Sequence, residues 1–244
     1  MNNLILCEGK TDAILLGYYL MRACGWESTR SVGKNKPSFK GLMRNQYTHW
    51  YKKGDDFLLI FAVGGKDNFG NILNEYIVPI LNYPIEDSFQ KIALISDKDN
   101  ENTDDALKIH EKLFNDINIS AISEQWTSAR FHTSFGEERE LLTLSVIIPA
   151  DKQGALETVL IDALCEDMYN KVIVEKCIAF VDTIKLDADK YISTDRLVLK
   201  AYLSVIFAVM SPEKIFDFIG ELLCEVPWEK SQTLRKCFGE LWVI

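Results

Sequence analysis

The sequence predicts an α/β fold: a mostly parallel sheet flanked by helices, followed by a helical C-terminal region. Three observations carry that prediction. Apolar runs of strand length recur at Leu4-Ile5-Leu6-Cys7, Phe57-Leu58-Leu59-Ile60-Phe61-Ala62-Val63 and Ile92-Ala93-Leu94-Ile95, without polar alternation. Runs of this kind belong to strands covered by helices on both faces. Segments with helical spacing lie between them, and strand, helix and strand in succession specify parallel pairing through crossovers. After Gly154 the helical period continues almost to the end.

The elements follow in order. Strand one covers Leu4 to Cys7, and a helix begins near Thr11 with Ile14, Leu15, Tyr18, Tyr19 and Arg22 at helical spacing. Thr11 or Asp12 can cap it. Strand two, Phe57 to Val63, ends in Gly64-Gly65-Lys66-Asp67-Asn68, and Gly70 to Leu81 has a helical pattern with Pro79 as a kink or terminus. Strand three is Lys91 to Ser96, and the helix from Thr103 to Phe114 places Ala106, Leu107, His110, Leu113 and Phe114 on one face. Further strands are predicted at Ile117 to Ser123, Arg130 to Phe135 and Glu140 to Ile148, with a hairpin turn at Phe135-Gly136-Glu137-Glu138 and a stop at Pro149. The predicted division is an α/β domain over residues 1–165 and a helical region over residues 166–244 packed on it.

Composition narrows the class. The 244 residues are 48% apolar with five tryptophans, enough for a full core and incompatible with disorder. Six cysteines are widely spaced without a C-x-x-C pair, which points to reduced thiols in the cytoplasm and away from zinc. No basic leader precedes the first strand, and Leu197 to Met210, interrupted by Lys200, is too short to cross a bilayer.

A net charge of −9 argues against nucleic acid, but its distribution does not. Residues 28–54 contain no acidic residue, while Arg30, Lys34, Lys36, Lys40, Arg44, Lys52 and Lys53 leave 20 basic against 36 acidic residues elsewhere. Phe39, Tyr47, His49, Trp50 and Tyr51 lie among them. Such a window can track a nucleic-acid backbone and stack on bases. It can equally be a solvated loop with its aromatics packed beneath it. On the first alternative, Lys34, Lys36, Lys40 and Arg44 contact DNA or RNA.

The chemistry-bearing residues stand at strand ends. Glu8-Gly9-Lys10-Thr11-Asp12 follows strand one and Ser96-Asp97-Lys98-Asp99 follows strand three, so their carboxylates can share the crevice at the carboxyl edge of a parallel sheet. Hard Mg²⁺ takes such oxygen ligands and completes its sphere with water and phosphate. Asp97 and Asp99 are the metal candidates, and Glu8 is a general acid or base if neighbouring carboxylates raise its pKa. Asp12 suits a helix cap. Glu157, in the Ala155-Leu156-Glu157 step after the last strand, is a standard first-turn residue facing a helix dipole. Gly9 and Lys10 in the first turn and Gly64, Gly65 and Lys66 in the second are candidates for phosphate, with an ordinary strand-to-helix turn as the alternative for the glycine pair. The P-loop spacing is missing, so ATP is not implied. His110 falls on a helical face, where packing is the expected role.

Glu8-Gly9-x-Thr11-Asp12 with Asp97-x-Asp99 resembles the Toprim domain of topoisomerases, primases and small nucleases, and its leucine-rich following helix is similar to that of the OLD-type nucleases. The resemblance covers roughly residues 1–165 and implies phosphoryl transfer with one or two Mg²⁺ or Mn²⁺ ions. It makes Glu8 the acid or base, Asp12 a metal or support residue, and Glu157 the late glutamate of the second ion. Asn100-Glu101-Asn102-Thr103 departs from the fuller pattern by lacking a glycine after D-x-D. The expected function is a small nuclease. The alternative is a non-catalytic module that binds metal or nucleic acid and acts with a partner, such as the ATPase that OLD-type enzymes carry on the same chain. An HAD-type phosphatase ranks last, because its D-x-D aspartate belongs on strand one.

Overall fold

All three apolar runs form strands, and they sit side by side. A computed structural model describes residues 1–30, 37, 39, 41–99, 102–188, 190–214 and 226–244. Its strands are β1 (Asn2–Cys7), β2 (Glu27–Thr29), β3 (Tyr47–Lys53), β4 (Asp56–Ala62), β5 (Lys91–Asp97), β6 (Thr127–His132) and β7 (Glu138–Ile148). They make one sheet in the order β2-β3-β4-β1-β5-β7-β6. The central β4, β1, β5 and β7 are parallel, while β2, β3 and β6 join antiparallel at the edges. The α/β class is as expected, with a mixed sheet.

The unalternated runs are explained by burial on both faces. In β1, Ile5 and Cys7 face one core, and Leu4 and Leu6 face the other. On the second face lie α2 (Phe69–Ile72), a π-helical stretch Leu73–Ile77, α3 (Val78–Leu81) and α4 (Thr103–Asp116). Pro79 stands in the first turn of α3, where its missing N–H is tolerated. The first face is covered by α1 (Lys10–Ala23), α5 (Leu156–Cys165), α6 (Met168–Ile184), α7 (Asp195–Met210) and α8 (Gln232–Phe238). Val174, Ile206, Leu234 and Phe238 of this helical part share a single buried cluster with Ile5, Ile60 and Leu144 of the sheet. The end of the chain is tied back as well, with Asn3 Nδ2 donating to the Ile244 carbonyl at 2.9 Å and Trp242 Nε1 to Tyr19 Oη at 2.7 Å. Among the described residues no helix is long and apolar enough to cross a membrane.

Two expectations are corrected. The basic-aromatic window contains β2 and β3: Trp50 pairs with Leu59 and Tyr51 with Leu58, and both aromatic side chains are buried. The Gly54-Asp55 turn, with Gly54 at φ 59, closes the β3-β4 hairpin in two residues. Conversely, Ile117 to Ser123 is not a strand. Asn118 takes φ 60 just after α4, and the segment meets the sheet through an isolated Ile119 to Phe131 bridge and scattered hydrogen bonds, such as Ser145 N to the Ser123 carbonyl at 2.7 Å, and not through a strand ladder. Its isoleucines are buried by packing beneath the sheet, which satisfies an apolar run without strand pairing.

Candidate active site

The site forms at the carboxyl ends of β1 and β5 and at the start of α5. Glu8 follows β1, and its Oε1 accepts the Asp97 backbone N–H at 2.9 Å. Asp97 Oδ1 accepts the Leu156 N–H at 3.1 Å, so the last residue of β5 is joined to the first of α5. The loops behind them are stitched together: Asp99 N donates to the Gly154 carbonyl at 2.8 Å, Gly154 N to the Asp99 carbonyl at 3.1 Å, and Lys98 N to the Ile148 carbonyl at 2.6 Å. Gly154 has φ 141, and a Cβ there would lie 2.4 Å from Thr158 Oγ1, so this crossing requires glycine.

Asp12 makes the bond expected of a helix cap. Its Oδ2 accepts the Gly9 N–H at 2.7 Å, a reach-back bond at the start of α1, while the carboxylate remains buried near Glu157. Gly9 has φ −130, an extended conformation open to other residues. Glu157 is buried in the first turn of α5, and Lys200 of α7 donates from Nζ to its Oε1 at 2.5 Å. Lys66 Nζ stands 3.1 Å from Asp99 Oδ2. Arg196 Nη2 stands 4.0 Å from Asp97 Oδ2, an oxygen that is buried without a hydrogen-bond partner.

Enclosure governs the protonation of this cluster. Burial, reinforced by Asp12, Glu8 and Glu157, pushes Asp97 up to about 8 against the opposing Leu156 N–H. Burial likewise raises Glu8 to about 7, although Lys66 and the Asp97 N–H favour its charged form. Asp12 rises to about 6 by burial, tempered by the Gly9 N–H, with Glu157 raising it further. These groups interact and titrate as a set. Carboxyl groups poised near neutrality in this way are suited to proton transfer or to a cation that replaces the protons.

The remaining candidates divide. The N–H groups of Gly64 and Gly65, expected to meet a phosphate, instead donate to the Glu8 carbonyl at 2.8 and 2.9 Å. Gly64 at φ 86 and Gly65 at φ 129 require glycine for that turn, so the pair anchors the Glu8 backbone. Lys66 belongs to the acidic site. Lys10 is exposed with its ammonium 5.6 Å from the centre of the Tyr47 ring, and Arg44 is exposed. Lys34, Lys36 and Lys40 lie outside the described residues, as does Glu101. Phe39 packs on Phe61 and Tyr76 at 5.2 and 5.9 Å, so the window's aromatics are largely structural, the second of the two alternatives weighed for them. Asp105 accepts from Asn102 and pairs with Lys108 at the start of α4. His110 is buried between Ser96 Oγ at 3.0 Å and Ser145 Oγ at 2.7 Å, and burial depresses it to about 4.

Sequence reasoning missed Arg196 and Lys200. Four residues apart on a helix, they share a face, and that spacing between apolar neighbours was the available signal. Thr194 caps α7, accepting from the Leu197 N–H at 3.3 Å, and so sets where this basic face begins. Among the described residues, no three acidic, histidine or cysteine side chains are arranged to hold a metal ion, and lysine and arginine cations lie against the carboxylates.

No family model and no curated protein matches this sequence. Among solved structures, the chain is similar to hypothetical protein PH0156 from Pyrococcus horikoshii OT3, at 14% identity and a TM-score of 0.53. The match covers 100% of this chain and 99% of that one, a likeness of fold over the full length.

Proposed function

We propose that this chain is a metal-dependent nuclease of the Toprim type, cleaving phosphodiester bonds in DNA or RNA. The observation that supports this most is the enclosed meeting of Glu8, Asp12, Asp97 and Glu157, with Asp97 Oδ2 left unpartnered. An acidic, oxygen-only donor set fits Mg²⁺ or Mn²⁺. Asp97 and Asp99 would hold one ion, with Asp12 and Glu157 available to a second, once Lys66 and Lys200 turn away from the carboxylates. When bound, the ion supplies positive charge to the phosphate that reacts.

The protein's own groups do the rest. Glu8, fixed through Oε1 by the Asp97 N–H, exchanges a proton with the attacking or leaving oxygen near neutral pH. Arg196, Lys200 and Lys66 neutralise phosphate charge, the first two from α7. Their long side chains also cover the carboxylates, so their rotation admits substrate. Free, separated thiols suit a cytoplasmic setting.

The test is cleavage of labelled single- and double-stranded DNA and RNA with Mg²⁺ or Mn²⁺, by wild type, Glu8→Gln and Asp97→Asn. Cleavage by wild type that both variants lose is expected. A wild type inert on every substrate refutes the nuclease. It leaves the second reading, a binding module acting with a partner such as an ATPase, which the internal pairing of Glu157 with Lys200 and of Asp99 with Lys66 favours.

A further inference from the structure

A cleft of about 570 Å³ opens beside the carboxylates, between the 153–158 turn and α7. Its volume falls in the range of small-molecule sites. Asp99 and Arg196 belong both to the cleft and to the acidic site, so the two are continuous. The wall from α7 carries Asp195, Val198, Leu199 and Tyr202, residues at helical spacing that point the same way. Val198, Leu199 and Tyr202 make one part of the lining apolar and aromatic, while Arg196 and Lys185 bring positive charge beside the carboxylates of Asp99 and Asp195.

That combination matches one nucleotide: an aromatic and aliphatic wall for a base, and cations for its phosphate. A duplex is far wider than a cleft of this volume. The basic-aromatic window, by contrast, turns its Trp50, Tyr51 and Phe39 rings inward. We propose that this cleft seats a single unpaired nucleotide adjoining the phosphodiester at the carboxylates, so that the C-terminal helices form the path of a single strand. This rests on the nuclease reading for the neighbouring phosphodiester, but its binding test does not depend on cleavage.

Fluorescence anisotropy with a fluorescein-labelled single-stranded 12-mer, in EDTA and in Mg²⁺, measures Kd for wild type, Leu199→Trp, Lys185→Glu and Val209→Trp. Leu199→Trp fills the cleft and is expected to weaken binding about tenfold, the share of one stacked base. Lys185 is exposed, so Lys185→Glu disturbs folding little. It should weaken binding and reduce the slope of log Kd against log salt by about 1. Val209, exposed in a separate groove lined by Phe180 and Val205, should bind as wild type after substitution. A 4-thiothymidine in the strand should crosslink within residues 194–202. Unchanged affinity and salt slope in both cleft variants overturn the proposal, as does a wild type that binds no strand. Binding through the cleft by a protein that cleaves nothing overturns the nuclease and leaves the cleft standing.

Discussion

Replacing Lys200 by Met should destabilise the metal-free protein more than the loss of an ordinary ion pair. The Lys200 ammonium lies 2.5 Å from Glu157 Oε1, with the carboxylate side chain 5% exposed and the lysine 38% exposed. Surface pairs contribute about 0.2–1 kcal/mol, whereas breaking a fully buried pair costs about 3–5 kcal/mol because one charge is left without its partner. Here the carboxylate left behind is buried among the acidic neighbours Asp12 and Asp97, while the lost lysine was partly solvated. The expected loss lies between the two limits, at about 2–3 kcal/mol, a fall in Tm of roughly 5–10 °C for a chain of this size. Glu157→Gln should cost less, since Lys200 can swing into water and one negative charge leaves the cluster. The double variant should recover most of the single Lys200→Met loss. Urea unfolding of all four proteins in EDTA measures the cycle. A Lys200→Met effect below about 0.5 kcal/mol, or a double variant no more stable than that single one, would refute the account of Glu157 as a buried side chain that depends on its contact with this lysine.

Other outcomes follow from the same geometry. Glu8, Asp12 and Asp97 are raised to about 7, 6 and 8, so the folded state holds protons that the unfolded chain releases. The stability they contribute is full below pH about 4 and lost as pH rises through 6 to 8, with Glu8 alone worth about 3 kcal/mol. Urea midpoints in EDTA should fall between pH 5.5 and 8.5 and fall less in Asp97→Asn; a wild-type rise over that range contradicts the assignment. Gly17→Ala places a Cβ 2.0 Å from Tyr51 Oη, so a loss of about 1–3 kcal/mol is expected, partly recovered by adding Tyr51→Phe. Gly64→Ala forces an L residue to φ 86 with its Cβ 2.7 Å from Asn45 Nδ2, and should cost at least about 1–2 kcal/mol in a denaturant melt. Because the Gly64 N–H holds the Glu8 carbonyl, cleavage should also drop in that variant more than its stability explains.

The sheet centre and the Glu8, Asp97 and Asp99 positions were legible because a strand buried on both faces leaves an unbroken apolar run that stops at the candidate carboxylates. The edge of the sheet was less so. Tyr47 to Lys53 has strand-forming aromatics and a Gly-Asp turn behind it, yet its basic flanks also suited a nucleic-acid surface, and only pairing with β4 distinguishes the two. Glu157 could be ranked only when Asp97 was found bonded to the N–H beside it and Lys200 to its carboxylate. Local sequence carries no record of that tertiary proximity.

Arg196 and Lys200 show why a strand-end motif describes only part of such a site. The carboxylates come from loops after neighbouring parallel strands, whose convergence is a property of the sheet. The cations come from a helix entered some 40 residues later, and only packing of α7 beside α5 brings them in. Burial already raises Asp12, and Arg196 and Lys200 oppose that rise, so without them this enclosed carboxylate would hold its proton more firmly still. The same basic groups then bear on the proposed reaction. If divalent ions take the carboxylates, Lys200 and Lys66 lose their partners at the point where a phosphodiester would arrive, and its oxygens become their available counter-charge. A helix that balances the metal-free site would thereby contribute to holding substrate in the loaded one, which joins the C-terminal helices to the chemistry of the strand ends.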